Sequence, residues 1–203
     1  MNIKIYIDFD GTLFNTTELY SNFINIFKKY NINKLDIDKI YSQEKSLDNA
    51  AYKIIEKYNL NPSIYKELDK IYSHNLVYKD VIPFLEQYYK KYYLILLTLG
   101  NINFQEKKIK IANINKYFKD IIITEKDKSK LNIDYENGIF IDNNPLELKK
   151  FYNSNAKYLI RIKRKYDKYS KLTLDINNIP EFTSFDELTK INYIEKIGEN
   201  YYE

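Results

Sequence analysis

Two carboxylates near the start of the chain, those of Asp8 and Asp10, have the type and spacing for chemistry. The segment before them alternates isoleucines with Lys4 and Tyr6, which predicts a β-strand that ends at this pair. One carboxylate can attack an electrophilic centre while the other moves protons. The two are also close enough in the chain to share a divalent cation. We therefore expect a reactive site at the end of the first strand.

The same residues are common in turns, and this simpler interpretation has to be weighed. Gly11 lets the backbone turn sharply after the two aspartates, and Asp and Gly are ordinary turn residues. A calcium-binding loop fits poorly, because its sixth and twelfth positions hold Leu13 and Leu19 instead of Gly and Glu. The chemical interpretation therefore depends on matching residues elsewhere in the chain.

The composition is typical of a globular protein with a substantial core. A chain of 203 residues predicts one domain with an insertion, and 44% hydrophobic with 30% charged residues favours a soluble fold. The absence of cysteine excludes disulfides and thiolate metal sites. A metal ion would therefore be held by oxygen atoms or by the single His74, which we expect on the surface of a helix.

The positive charge is modest and argues against a nucleic-acid surface. The net charge is +4, and only Arg161 and Arg164 among the 32 basic residues are arginine. The basic run Arg161–Lys171 contains two tyrosines and suits either an anionic ligand or a charged loop. Its lysine-rich composition favours the loop.

The sequence contains no visible signal for secretion or membrane insertion. The chain starts almost directly in the first strand, and the longest apolar run, Tyr92–Leu99, is too short to span a bilayer. We expect a cytoplasmic protein with no membrane partner, whose oligomeric state the sequence leaves open.

The hydrophobic pattern divides the chain into a helical insertion and an α/β core. Residues 16–76 show only helical periodicity, with one apolar face from Leu19 to Phe27. Helices and apolar strands alternate afterwards, which predicts a parallel sheet covered on both faces. The helical segments of this second part are Val81–Tyr92, Phe104–Ala112 and Pro145–Tyr152, and the strands are Tyr93–Thr98, Ile121–Thr124, Ile139–Asp142 and Tyr158–Ile162. We predict a doubly wound, mainly parallel α/β core (1–15 and 77–203) with a small all-helical cap (16–76).

Polar groups follow three of the predicted strands. They are the two aspartates, then Thr98, then Asp142, and a lysine-rich segment at Lys126–Lys130 lies between the last two strands of this set. Ligands of such sheets bind beyond the carboxyl ends of the strands, where these groups meet. Carboxylates, a hydroxyl and an ammonium in one place suit phosphoryl transfer, because they can attack phosphorus and neutralise its charge.

Four ordered motifs resemble those of the haloacid dehalogenase superfamily of phosphatases, and the resemblance covers nearly the whole chain. The first is Asp8-Phe9-Asp10-Gly11-Thr12-Leu13, the second Leu96-Leu97-Thr98-Leu99-Gly100-Asn101, the third the segment Lys126–Lys130, and the fourth Phe140-Ile141-Asp142-Asn143-Asn144-Pro145. The resemblance implies a magnesium-dependent phosphomonoester hydrolase acting on a small phosphorylated metabolite or nucleotide.

The resemblance also implies a role for each matched residue. Asp8 would be the nucleophile, Asp10 the general acid and base, and Thr98 a ligand of the phosphoryl group. Asp142 would bind Mg²⁺ together with Asp8 and the backbone carbonyl of Asp10. Members of the superfamily with other chemistry commonly lack the second aspartate of the first motif, which this chain retains.

The smaller assignments concern the lysine and the residues nearest the substrate. We favour Lys128 as the phosphate-binding lysine, and Lys126 and Lys130 remain open. The substrate contacts are expected at three residues just behind strand ends, namely Gly11, Gly100 and Asn101.

Two departures from the family pattern keep other functions open. Asn143 stands where a second acidic residue is usual, and the third motif has little room for its usual helix. A phosphotransferase or mutase would share the same first step. A non-catalytic interaction module on this scaffold is a further alternative, although the chain retains both Asp8 and Asp10.

Overall fold

A computed structural model describes residues 3–44, 46–72, 76–176 and 178–200. Six strands form one parallel sheet with the spatial order β3-β2-β1-β4-β5-β6. The strands are β1 (Lys4–Ile7), β2 (Tyr93–Leu99), β3 (Asp120–Thr124), β4 (Ile139–Asp142), β5 (Tyr158–Ile162) and β6 (Glu181–Phe182). The predicted doubly wound α/β class is confirmed.

Nine α-helices accompany the sheet in the described part of the chain. They are α1 (Thr16–Lys28), α2 (Lys34–Gln43), α3 (Leu47–Lys57), α4 (Tyr65–Ile71), α5 (Val81–Tyr88), α6 (Ile102–Ala112), α7 (Pro145–Asn153), α8 (Phe185–Lys190) and α9 (Tyr193–Asn200). None of the helices described is long and apolar enough to cross a membrane. His74 lies outside the described residues, so our expectation for it stays a prediction.

The central strand β1 brings the site residues to one edge of the sheet. Ile7 is level with Leu96 on β2 and with Ile141 on β4. The next residue, Asp8, therefore lies beside Asp142 at the carboxyl ends of the strands, and its backbone N–H donates to the carbonyl of Ile141 at 2.9 Å. Both faces of the sheet are buried, which explains the continuous apolar character of its strands.

The helical insertion leaves and re-enters the core at one point. The backbone N–H of Asn15 donates to the carbonyl of Leu76 at 2.7 Å, and that of Tyr78 donates to the carbonyl of Leu13 at 3.1 Å. Helices α1 to α4 lie between these crossings, and no strand occurs there among the described residues. This arrangement agrees with a cap over 16–76, and the division into core and cap stays our interpretation.

The structure differs from the sequence prediction at α5 and in the last part of the chain. Helix α5 ends at Tyr88 instead of Tyr92, because the N–H groups of Lys91 and Tyr92 both bond to the carbonyl of Tyr88 in a closing turn. Strand β6 and helices α8 and α9 were not predicted. With two residues, β6 is too short to show any periodicity.

Candidate active site

The centre of the site is a buried lysine between two buried carboxylates. Lys128 Nζ lies 2.6 Å from Asp8 Oδ1 and 2.9 Å from Asp142 Oδ2. The second oxygen of Asp8 accepts a hydrogen bond from Thr12 Oγ1 at 3.0 Å. Each oxygen of Asp8 thus accepts one hydrogen bond and keeps a further lone pair.

This cluster carries more negative than positive charge. Burial raises the pKa of Asp8 to about 7, helped by the neighbouring carboxylate of Asp142 and opposed by Lys128. Burial acts to lower the pKa of Lys128, but the two carboxylates outweigh it and raise that pKa above its usual value. One ammonium faces two carboxylates, so the site has room for additional positive charge.

Asp10 has a separate set of partners on helix α6 and at the start of α1. Its Oδ1 accepts a hydrogen bond from Thr16 at 2.6 Å and forms an ion pair with the buried Lys108, and its Oδ2 accepts a hydrogen bond from Gln105 at 2.7 Å. Burial acts to raise the pKa of Asp10, but Lys108 and the two hydrogen-bond donors hold it below its usual range.

The remaining predicted residues occupy the same edge of the sheet. Thr98 on β2 is buried, and its hydroxyl has no hydrogen-bond partner among the described residues. Asn101 caps α6 by accepting a hydrogen bond from the N–H of Phe104 at 3.1 Å. Gly11 has φ +81°, where a side chain would be strained and would collide with Asn143 and Asp167.

Of the three candidate lysines, Lys128 reaches Asp8 and Asp142. It opens a short 3₁₀ helix, Lys128–Lys130, whose N-terminus is capped by Asp127. Lys126 and Lys130 are exposed. The full helix that is usual after this motif is absent between 131 and 138, as the short spacing predicted.

The comparisons with known proteins find similarity in structure alone. No protein-family model and no curated protein sequence matches the chain. A putative haloacid dehalogenase-like hydrolase from Burkholderia xenovorans superposes with a TM-score of 0.74 at 13% identity, over 95% of this chain and 97% of the other. The chain has the haloacid dehalogenase-like fold.

Two further structures with the haloacid dehalogenase-like fold match over nearly their whole length. A putative β-phosphoglucomutase from Thermotoga maritima gives a TM-score of 0.69 at 14% identity, over 96% of this chain and 99% of the other. A magnesium-bound putative hydrolase from Bacillus subtilis gives 0.61 at 13% identity, over 94% and 98%. Dehalogenases also match, so the fold does not distinguish between these reactions.

One matched structure is bound to magnesium, and the donors of this site fit that ion. Asp8 and Asp142 supply two buried carboxylates, the ligands that a hard divalent cation prefers, and they exceed the charge of Lys128. No three acidic or histidine side chains converge on a metal position among the described residues. Because the side chain of Asp10 is turned to Lys108, its contribution would come from its backbone carbonyl.

A cavity of about 440 Å³ opens between the helical insertion and the core. Asp10, Gly100 and Asn101 line it, whereas Asp8, Thr98, Lys128, Asp142 and Gly11 are not part of its wall. Of the predicted catalytic side chains, only that of Asp10 lines this cavity, so a molecule bound there would contact Asp10. The basic run contributes Tyr166, Asp167 and Lys168 to the wall.

The sequence prediction missed three residues that support the site. Lys108 and Gln105 hold Asp10 from α6, and Arg164 donates to the carbonyl of Thr12 at 3.0 Å and to Asp80 at 2.7 Å. Arg164 therefore fixes the loop that follows Asp10. A weak signal existed for Lys108, since it lies four positions from both Phe104 and Ala112, on the buried face of its helix.

Proposed function

We propose that this protein is a magnesium-dependent phosphomonoester hydrolase that works through an aspartyl-phosphate on Asp8. The observation that carries the proposal is the contact of Lys128 with both Asp8 and Asp142 at the carboxyl edge of the sheet. Asp8 and Asp10, two residues apart at the end of β1, provide a nucleophile and a proton carrier, which supports the same reaction class.

In the first step, an oxygen of Asp8 attacks phosphorus and the ester P–O bond breaks. Asp10 gives a proton to the departing alkoxide, which leaves as an alcohol. In the second step Asp10 takes a proton from water, and the water oxygen attacks phosphorus. The bond between phosphorus and Asp8 breaks, which releases inorganic phosphate and restores the carboxylate.

The surrounding residues assist through charge and position. Asp8, Asp142 and the Asp10 carbonyl would hold Mg²⁺, which when bound neutralises charge on the phosphoryl oxygens. Lys128 adds a positive charge beside Asp8. The unpartnered hydroxyl of Thr98 is a donor that a phosphoryl oxygen can satisfy.

Asp10 favours phosphoryl transfer over dehalogenation, the other reaction found among the matched structures. A halide leaves as a stable anion and needs no proton, whereas an alkoxide does. A proton carrier held by three donors on the cavity wall therefore suits an ester substrate.

The proposal is tested with a panel of phosphomonoesters, with and without Mg²⁺. We expect magnesium-dependent release of inorganic phosphate, lost by at least about a thousandfold in Asp8→Asn because the nucleophile is gone. Asp175→Asn, which alters an exposed loop aspartate, is the matched control and should keep full activity. Absence of turnover across the panel, or an active Asp8→Asn, contradicts the proposal.

A phosphotransferase or mutase is the second candidate, since it would share the first step and one matched structure is a putative mutase. The two functions differ in the acceptor of the phosphoryl group. Stoichiometric release of inorganic phosphate without an added acceptor argues for the hydrolase. Turnover that requires an acceptor alcohol argues for transfer.

A non-catalytic interaction module is the remaining alternative. It predicts that Mg²⁺ and phosphate analogues have no effect on the thermal stability of the protein. Stabilisation by both, lost in Asp142→Asn, argues against it.

A further inference from the structure

Four aromatic rings contribute to the wall of the cavity beside Asp10. Tyr20 and Tyr41 stack on each other with their centroids 4.7 Å apart, and both reach the cavity from the helical insertion. Phe104 lines it from α6, and Tyr166 does so from the loop after β5. These rings come from three separate parts of the chain and meet at one place.

Tyr166 is more exposed than the other three rings of the cavity wall. Tyr166 is 77% exposed, and it borders the cavity. Lys168 lies on the same wall, with its ammonium 4.6 Å from the centroid of the Tyr169 ring. An exposed aromatic ring beside a concave apolar wall is a common feature of ligand sites.

Several polar side chains in the wall already have partners in the protein. Tyr20 donates to Asp38 at 2.5 Å. Thr16 donates to Asp10, and Gln105 donates both to Asp10 and to the carbonyl of Leu99. The donors of Tyr20, Thr16 and Gln105 are therefore already engaged, and a ligand ring needs no replacement for them, whereas hydroxyl groups placed against them would lose hydration.

We infer that the substrate is a phosphomonoester whose alcohol part carries a flat, weakly polar ring. The inference rests on the proposed function, since it places the ester oxygen at Asp10 and the ring between Tyr41, Phe104 and Tyr166. The cavity volume of about 440 Å³ is sufficient for one or two rings. An aryl group and a nucleobase share this chemistry.

The test compares primary alkyl phosphates whose leaving alcohols are alike in type and whose remaining parts differ. Benzyl phosphate and a nucleoside 5′-monophosphate carry a flat ring, whereas glycerol 3-phosphate and glucose 6-phosphate carry several hydroxyl groups and no flat ring. We expect kcat/KM to favour at least one ring substrate by about tenfold or more. The two ring substrates distinguish an aryl group from a nucleobase. Equal or better turnover of the polyhydroxylated pair overturns the inference.

Variants of the wall link such a preference to the cavity. Tyr166→Ser should reduce the ratio of kcat/KM for the preferred ring substrate to that for glycerol 3-phosphate about fivefold, mainly through KM. Tyr152→Ser removes another exposed tyrosine, on α7, and is the matched control that leaves the ratio unchanged. An unchanged ratio in both Tyr166→Ser and Tyr41→Leu overturns the inference.

Binding without turnover separates this inference from the proposed function. Benzylphosphonate and methylphosphonate, which resist hydrolysis, are titrated calorimetrically into the full chain with Mg²⁺. Tighter binding of benzylphosphonate, weakened in Tyr166→Ser, supports the ring site even when no phosphomonoester is turned over. Equal affinity of the two phosphonates overturns the ring site while leaving Asp8-dependent hydrolysis unaffected.

Discussion

Asp8 and Asp10 are two residues apart, and each is paired with a buried lysine, but their surroundings have opposite effects on the two pKa values. Asp8 shares Lys128 with a second carboxylate, and its pKa is raised to about 7. Asp10 has Lys108 and two further donors, and its pKa is lowered. Burial acts to raise both pKa values: the carboxylate of Asp142 adds to this effect at Asp8, whereas Lys108 and the two hydrogen-bond donors outweigh it at Asp10.

Under the proposed mechanism, this difference means that the charge of the bound ligands would adjust the protonation of both aspartates before the reaction. A proton on Asp8 blocks its attack, and an ionised Asp10 has no proton to give. A divalent cation lowers the pKa of Asp8, and the negative charge of a bound phosphate raises that of Asp10. The two aspartates therefore reach their working protonation states when both ligands are present.

The largest effect is expected from Lys128→Met, which leaves Asp8 and Asp142 buried against each other. We expect a loss of about 3–5 kcal/mol in the free energy of unfolding at neutral pH, measured by urea denaturation with a chelator present. Lys126→Met and Lys130→Met change exposed lysines of the same loop and should stay within about 0.5 kcal/mol of the parent. A Lys128→Met variant as stable as these controls contradicts the account of the cluster.

A clear but smaller effect is expected from Lys108→Met, which removes the cation that holds Asp10 ionised. The pKa of Asp10 should rise, so the fall of kcat with increasing pH, which reports the enzyme–substrate complex, should move upward by about one pH unit. Lys107→Met alters the neighbouring lysine, which contacts Asp48, and serves as the control with an unshifted profile. Coincident profiles of Lys108→Met and Lys107→Met would remove Lys108 from the acid–base account.

A substitution at Asn143 tests whether a further carboxylate at this position would strengthen the binding of Mg²⁺. Its backbone N–H donates to Thr12, which donates to Asp8, and its side chain lies beside Gly11 near Asp167. Asn143→Asp should lower the Mg²⁺ concentration for half-maximal activity by about tenfold. The double variant Asn143→Asp/Asp167→Asn controls for repulsion between the two carboxylates. Superimposable Mg²⁺ titrations of the parent and both variants would end the claim of a weakened metal site.

A pH dependence of stability is expected when the protein is studied without Mg²⁺. The folded state holds the Asp8 proton more tightly than the unfolded state, because burial raises the pKa of Asp8 to about 7. The stability that this proton contributes is complete below about pH 4 and is lost as the pH rises through about 7. Asp8→Asn should flatten the free energy of unfolding over this range. An identical slope in Asp8→Asn and the parent contradicts the raised pKa.

The sequence was sufficient to predict the fold class and the residues that meet at the sheet edge. Asp8 follows β1, and Thr98 and Asp142 lie in the last residues of β2 and β4. The apolar runs of these strands are clear in the sequence, and parallel pairing places their carboxyl ends at one edge of the sheet. The choice of Lys128 agrees with its position between Asp8 and Asp142, while its role in binding phosphate stays a prediction.

The rest depended on contacts between distant segments. Lys108 is one lysine among many, and its ion pair with Asp10 spans 98 positions in the chain. Residues of the basic run have different surroundings: Arg164 is buried against Asp80, whereas Tyr166 is exposed at the cavity. Helical spacing gave only a weak signal for Lys108, and no local pattern marked Arg164 as buried.

The most direct test of the central claim is to trap the phosphorylated enzyme. Protein mixed with a turned-over phosphomonoester and Mg²⁺ is quenched in acid within milliseconds, digested and analysed by mass spectrometry. The account predicts one phosphoryl group on the peptide that contains Asp8, and none in Asp8→Asn. During turnover in ¹⁸O-water the label should enter inorganic phosphate and not the Asp8 carboxylate. A phosphoryl group on another residue, or ¹⁸O in the Asp8 carboxylate, would contradict the account.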